Sequence, residues 1–248
     1  MLSDEELDRY QRHIVLKEVG GQGQRKFQAA RVAVVGAGGL GCASLPYLAA
    51  AGIGRLTLID DDDVSLSNLQ RQTLFTTADI GRPKVEAAAE RLRALNPHIA
   101  IEPIRTRLTT DNAPTLLAQQ HVVADGSDSF RTRSDVNAAA VRLGIPLVSA
   151  AIGPFEGQLG VFAGHLAGQP CYACFAGQAE DRPGTSCADI GVLGPVAGLM
   201  GAAQALEVLR LIAGFGESRL GRLWLWNGLG LESRSIRVPK DPSCPVCC

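Results

Sequence analysis

Two sets of residues in this 248-residue chain have the types and spacing to do chemistry. The first is a pair of Cys-x-x-Cys motifs, Cys171/Cys174 and Cys244/Cys247. Each places two thiolates on one tight turn, and two such turns brought together make a closed tetrahedral Zn²⁺ site of the structural kind. A redox dithiol and unrelated thiols are the plain alternatives. The acidic start, Met1-Leu2-Ser3-Asp4-Glu5-Glu6, predicts no secretory leader; in the reducing setting so expected, paired cysteines point to metal. Cys248 follows Cys247 directly, so either is a candidate for the last ligand.

The second set surrounds a glycine turn. Val32-Ala33-Val34-Val35 runs into Gly36-Ala37-Gly38-Gly39-Leu40-Gly41, and a second apolar run, Leu56 to Ile59, ends on Asp60. The G-x-G-x-x-G spacing lets backbone amides and a helix N-terminus approach a phosphate, while the acid suits a ribose hydroxyl. Taken alone, this reads as an NAD-dependent oxidoreductase. Arg71 and Lys84 follow the second strand, near the carboxyl edge where open α/β sheets bind ligands, and two cations there suit a triphosphate better. The bland reading of 61–72 is a solvated acidic turn and a short helix capped by Ser67. Asp128 either caps the helix that begins near Phe130 or holds Mg²⁺ through one carboxylate oxygen. No G-x-x-x-x-G-K-[ST] loop occurs, which excludes a P-loop ATPase. Cys187 is either a small buried hydrophobe or an accessible nucleophile in its Gly/Ser/Asp loop; Cys42, on the helix after the turn, reads as structural.

The elements that must position these residues follow from periodicity. A Ser3/Glu6 capping box opens a helix over 4–17, and a second covers 22–29. Strands at 31–36, 55–60, 99–105, 121–125 and 146–151 alternate with helices at 39–51, 83–95, 111–119 and 129–143. That alternation predicts an α/β, Rossmann-like, mostly parallel sheet with helices on both faces. Pro46 predicts a local kink or tight packing in its helix. After residue 150 come a strand at 158–162, a Gly/Pro/Cys-rich loop at 164–187, a long apolar helix at 195–212, and a closing antiparallel pair at 222–226 and 234–238. One domain over 1–248 is expected, with N-terminal helices in 1–30, a nucleotide-binding part in 31–150 and a zinc-holding part in 151–248.

Hydrophobic residues make up 46% of the chain and charged residues 20%, which is ordinary for a globular protein. A net charge of −1 gives no electrostatic case for nucleic acid or an anionic membrane. Gly, Arg and Asp interrupt the apolar stretches, so no membrane span and a cytoplasmic location are expected.

These residues together resemble the ThiF/MoeB family of adenylyltransferases, bacterial relatives of ubiquitin-activating enzymes. The match runs through Arg9-Tyr10-Gln11-Arg12, the turn at 36–41, Leu66-Ser67-Asn68-Leu69-Gln70-Arg71-Gln72, Arg82-Pro83-Lys84, Asn96-Pro97, Asp125 to Asp128, Gly194-Pro195 and both cysteine pairs. It implies adenylation, with ATP and Mg²⁺, of the C-terminal Gly-Gly of a ubiquitin-like sulfur-carrier protein in molybdopterin or thiamin-thiazole biosynthesis. It also implies Zn²⁺ at the cysteines, a homodimer, and a sulfurtransferase as a further partner. By matching positions, Gly39 lies against the nucleotide, Asp60 holds the ribose, and Asn68, Arg71 and Lys84 surround the triphosphate. Asp128 binds Mg²⁺, and Arg12 reaches into the partner subunit's site. Cys187 matches a cysteine linked to sulfur transfer. Ser129 departs from the family's usual Asn, which is the one sequence support for a non-enzymatic, zinc-stabilised docking subunit. No rhodanese-type domain is expected after Cys248. Phe75 to Ile80 and Gly191 to Pro195 look closer to the thiamin branch, while Ser65-Leu66-Ser67 suits the molybdopterin branch as well.

Overall fold

The computed structural model describes residues 2–177 and 191–248. Its eight strands form one sheet in the order β3-β2-β1-β4-β5-β6-β7-β8. Strands β1 (Arg31–Val35), β2 (Arg55–Asp60), β3 (Ala100–Arg105), β4 (Val122–Asp125) and β5 (Leu147–Ile152) pair in parallel. Strands β6 (Glu156–Phe162), β7 (Arg222–Asn227) and β8 (Glu232–Arg237) continue the sheet antiparallel. β1 and β4 are apolar and buried on both faces, as central parallel strands covered by helices must be.

Nine helices are described. They are α1 (Asp4–Arg9), α2 (Gln11–Ile14), α3 (Gly20–Ala29), α4 (Gly39–Ala50), α5 (Lys84–Leu95), α6 (Ala113–Leu116), α7 (Phe130–Leu143), α8 (Tyr172–Ala176) and α9 (Gly194–Ala213). Alternate strand residues feed two cores. Val32, Val34, Leu56 and Leu58 pack with Phe27, Leu45, Leu48, Leu92 and Met200. Ala33, Val35, Ile59 and Val123 pack with Ala113, Val136, Ala140 and Tyr172. The first core thus lies under α3, α4, α5 and α9, and the second under α6, α7 and α8, as the alternation of elements predicts.

Several local expectations change. The capping box forms, with Ser3 Oγ accepting from the Glu6 amide at 3.2 Å, but the helix stops at Arg9. Tyr10 leaves helical geometry (φ −99°, ψ 10°) and buries its ring, its hydroxyl accepting from Asn96 Nδ2 at 2.8 Å. The expected helix at 111–119 shortens to α6, and α8 lies inside the stretch expected as loop. Pro46 is taken into α4, which stays one continuous helix. The expectation that no apolar run reaches membrane length is also corrected. α9 is long and apolar enough by composition, but its Val196, Met200, Ala205 and Val208 are buried in the first core.

Candidate functional site

The strand order reverses between β1 and β4. The chain steps outward from β1 to β2 and β3, then returns beside β1, and such a switch point leaves a crevice at the carboxyl ends of the strands. Gly36 opens the turn there with φ +91°, and a β-carbon on it would lie 3.1 Å from the Gly126 carbonyl. Gly41 packs so tightly on Gly36 that a β-carbon would overlap the Gly36 carbonyl oxygen. Glycine at these two positions is therefore a steric requirement of the crevice.

Asp60, at the end of β2, accepts the Ala37 amide at 2.7 Å on one carboxylate oxygen and the Asp62 amide at 2.9 Å on the other. It binds the end of β2 to the glycine turn. Burial pushes its carboxyl up, and the nearby Lys84 ammonium opposes that shift.

The two expected cations stand at this same edge. The stem of Arg71 covers Gly39: a β-carbon at 39 would sit 3.6 Å from Arg71 Cγ and 3.7 Å from Cδ. Arg71 Nη1 donates to the Ser67 carbonyl at 3.1 Å. Lys84 begins α5, is almost wholly buried, and places Nζ 2.7 Å from a carboxylate oxygen of Asp62. Asn68 lies in a 3₁₀ turn, Leu66–Asn68, and its carbonyl accepts the Arg71 and Gln72 amides. The residue preceding that turn is Ser65, so the expected Ser67 cap is corrected; Ser67 sits inside the turn.

Across the crevice, β4 ends on Asp125 and the chain continues through Gly126, Ser127 and Asp128 into α7. Asp128 is exposed. It does not cap α7: Ser129 does, its Oγ accepting from the Thr132 amide at 3.2 Å. Ser129 therefore has a local structural role at the position where the resemblance leads one to expect Asn. Arg12 is exposed on α2, which packs on α3, and forms no hydrogen bond or ion pair among the described residues. Cys187 lies outside the described residues. Cys42 is buried, with its thiol pushed up to about 12 by desolvation, in keeping with a structural thiol.

Three features escaped sequence reading. Asp62 is Lys84's partner, although it looks like one of several solvated acids. Asp79 is buried and collects the Thr76 amide, Arg82 and Arg91, holding the 76–83 loop that leads into Lys84. Asp125 is fully buried beside Arg133, which forms a clamp over the 126–128 loop. Asp- and Arg-bearing helices and loops normally face water, so no local pattern marks Asp79 and Asp125 as buried or singles out the exposed Asp62 as the partner of a buried lysine.

The four cysteines meet at the other end of the molecule's sequence order. Cys171 Sγ lies 4.0 Å from Cys174 and 3.6 Å from Cys244, Cys174 lies 3.5 Å from Cys247, and all four sulfurs fall within 4.8 Å of one another. Four thiolates about 2.3 Å from a tetrahedral Zn²⁺ stand roughly 3.8 Å apart, so the donor set and spacing fit that ion. Two neighbours orient the sulfurs: Asn137 Nδ2 donates to Cys171 at 3.5 Å and the Asp241 amide to Cys174 at 3.5 Å. Cys248 points away, its thiol donating to the Asp241 carbonyl at 3.1 Å, which makes Cys247 the fourth member.

A cavity of about 570 Å³ opens where β5 ends and β6 begins, lined among others by Ile152, Glu156, Gln158, Leu225, Trp226 and Arg234. β5 runs parallel to β4, so its end shares the sheet edge that carries the crevice.

The ThiF family profile matches residues 10–246. The chain is 41% identical over 246 residues to the molybdopterin-synthase adenylyltransferase of Escherichia coli K12, covering 99% of this chain and 98% of that protein. It is 42% identical over 246 residues to the sulfur carrier protein ThiS adenylyltransferase of the same organism, covering 99% and 97%. Among solved structures, E. coli MccB shares the fold, with a TM-score of 0.83 at 24% identity over 99% of this chain and 73% of that one. This chain belongs to the ThiF family.

Proposed function

We propose that the protein adenylates the C-terminal glycine of a ubiquitin-like sulfur-carrier protein, using ATP. The observation that carries this reading is the convergence of Arg71 and Lys84 on the glycine turn and Asp60. A hydride-transfer reading leaves both cations without a task.

Asp60 takes the ribose, and the amides of the 36–41 turn and the start of α4 take phosphate oxygens. Arg71 and Lys84 neutralise the triphosphate, and Asn68 donates a hydrogen bond to it. Mg²⁺ on Asp128 would neutralise further phosphate charge. The carrier carboxylate attacks the α-phosphorus, the bond to the β-phosphate oxygen breaks, pyrophosphate leaves, and an acyl-adenylate remains. Such displacements need positioning and charge neutralisation above all.

The carrier docks over the 151–248 part, with its tail running from the cavity at Ile152 to the crevice along one sheet edge. A homodimer would bring Arg12 of the partner into the site, which agrees with its exposed, unengaged position here. Zn²⁺ sits on Cys171, Cys174, Cys244 and Cys247, and a cytoplasmic setting keeps those thiols reduced. Cys187 is kept as the sulfur-handling thiol, served by a separate sulfurtransferase.

Carrier-dependent ATP–pyrophosphate exchange tests the proposal. Identities of 41% and 42% to enzymes of the two branches favour neither carrier, so a MoaD-like and a ThiS-like protein are assayed side by side. Exchange with one of them is expected. Absence of exchange with any Gly-Gly-ended carrier, in a folded zinc-loaded protein, overturns it.

A further inference from the structure

The loop that carries Asp128 is held from both sides by a buried ion pair. Asp125 is fully buried and one of its carboxylate oxygens accepts both the Ser127 amide at 3.0 Å and the Ser127 hydroxyl at 2.7 Å. Arg133, on the first turn of α7, is also buried and donates to the Ser127 carbonyl through Nη2. The two side chains stand 3.6 Å apart and are bridged by Ser149, whose hydroxyl accepts from Arg133 Nη1 at 3.0 Å and donates to Asp125 at 3.3 Å. Arg133 is anchored again on the Ala150 carbonyl at 2.8 Å, and Gln204 of α9 donates to the Asp125 carbonyl at 2.9 Å. Both peptide groups of Ser127 are therefore fixed by groups that are themselves fixed.

The same loop touches the glycine turn. The Gly126 amide donates to the Val35 carbonyl at 2.9 Å, and a β-carbon on Gly36 would lie 3.2 Å from the Ser127 nitrogen. The clamp thus sets a distance across the crevice, from the turn on β1 to the residue that follows Ser127.

Stability alone is a poor reason for the pair. With side chains 6% and 0% exposed, the desolvation of both charges offsets most of their attraction, and an apolar pair of similar volume would fill the space as well. What the charges add is direction: a carboxylate that accepts an amide and a hydroxyl at once, and a guanidinium that reaches one acceptor on the 126–128 loop and two on β5.

We propose that Arg133 and Asp125 are positioning residues that place Asp128 against the phosphates of the nucleotide, so that metal and triphosphate are bound as one unit. The proposal rests on the adenylation reading. Groups one shell out from a metal ligand typically set metal affinity by about 10–100-fold.

The test is nucleotide affinity rather than turnover. The dissociation constant of a non-hydrolysable ATP analogue is measured by calorimetry on the full chain, with and without Mg²⁺, and the ratio of the two values reads the metal's contribution. Arg133→Lys is expected to shrink that ratio by about tenfold or more while leaving metal-free binding within a few-fold. Asp128→Asn should do the same, and the double variant should be no worse than Asp128→Asn alone, because the arginine acts through the aspartate. A wild-type ratio in Arg133→Lys, or losses that multiply in the double variant, overturns the proposal. If Arg133→Lys does not fold, Ser149→Ala decides, since it removes the bridge and leaves both charges in place. A smaller loss in the same direction supports the clamp; an unchanged ratio overturns it. A wild-type chain that binds no nucleotide overturns the adenylation reading and the pair's role together, whereas a wild-type ratio in the variants overturns the clamp alone.

Discussion

Lys84 and Asp62 are joined twice: the Lys84 ammonium lies 2.7 Å from a carboxylate oxygen of Asp62, and the Lys84 amide donates to the Asp62 carbonyl at 3.0 Å. The lysine is buried and the aspartate exposed, so the pair holds a cation at the crevice wall while leaving its partner in water. A charge kept there before any ligand arrives needs no reorganisation when phosphate does.

Lys84→Met keeps the buried stem and removes the charge. A volume-conserving exchange of this kind costs less than about 1.5 kcal/mol, so the melting temperature should move by a few degrees at most. Carrier-dependent exchange should fall by roughly 10²–10³, the usual cost of one preorganised electrostatic contact. Exchange within tenfold of wild type would remove Lys84 from the phosphate site.

The glycine turn gives a stability prediction with a different signature. A β-carbon at 41 would overlap the Gly36 carbonyl oxygen, so Gly41→Ala must push the start of α4 away from β1. Overpacking of this sort costs about 1–3 kcal/mol. Thermal unfolding should therefore fall by about 2–4 °C per kcal/mol, and nucleotide affinity should fall with it because the amides of the turn move. An unchanged melting temperature would show that the contact relaxes freely.

The fold and most of this site were legible because their signals are local. Apolar runs of five or six residues, a glycine spacing and a terminal acid define β1, the turn, α4, β2 and Asp60 within thirty consecutive positions, 31–60. The cysteine spacing was legible too, although the choice of Cys247 over Cys248 needed the path of the chain around Asp241. What failed depended on contacts distant in sequence. Tyr10, Ile14 and Leu16 keep helical spacing, which predicts one helix through residue 17. It breaks because Asn96, 86 positions away, captures the Tyr10 hydroxyl. Of the two readings the sequence offers for Asp128, cap of α7 or Mg²⁺ ligand, the cap goes to Ser129, an equally good capping residue one position on. Arg133 and Asp79 carried no signal at all, since a charged side chain on a helix or loop reads as solvated until tertiary packing buries it.

Asp79 gives a pH prediction. Burial pushes its carboxyl up, but the Thr76 amide and hydroxyl and the Arg91 guanidinium outweigh burial and hold it at about 2, against an ordinary 3.8. A carboxyl with a depressed folded-state pKa contributes stability that is complete above its ordinary pKa and is lost as pH falls through the folded value. Asp79→Asn removes the charge and should cost about 1.5–3 kcal/mol near neutral pH, the range for hydrogen bonds to a charged group. The difference from wild type should stay constant above about pH 5 and narrow as pH drops from about 4 toward 2. Denaturant melts across that range measure it, and a difference that does not narrow would mean that the charge of Asp79 plays no part.

The cysteine cluster ties the last residues of the chain to the turn of α8, and its two buried members, Cys171 and Cys244, come from opposite ends of that connection. A closed four-thiolate site carries folding free energy outright, so losing the ion should loosen what it joins. The two large cores do not depend on it, because their residues lie on the sheet and its helices. Cys174→Ser should therefore abolish stoichiometric zinc, measured by elemental analysis, and lower the melting temperature while far-UV circular dichroism stays near wild type. Protease sensitivity should rise first in the segment after β8. Cys248→Ser should keep both zinc and melting temperature, since that thiol faces Asp241 and not the cluster. Zinc lost in Cys248→Ser and kept in Cys247→Ser would reverse the assignment, and the last turn of the chain would then have to rotate to bring Cys248 to the other three sulfurs.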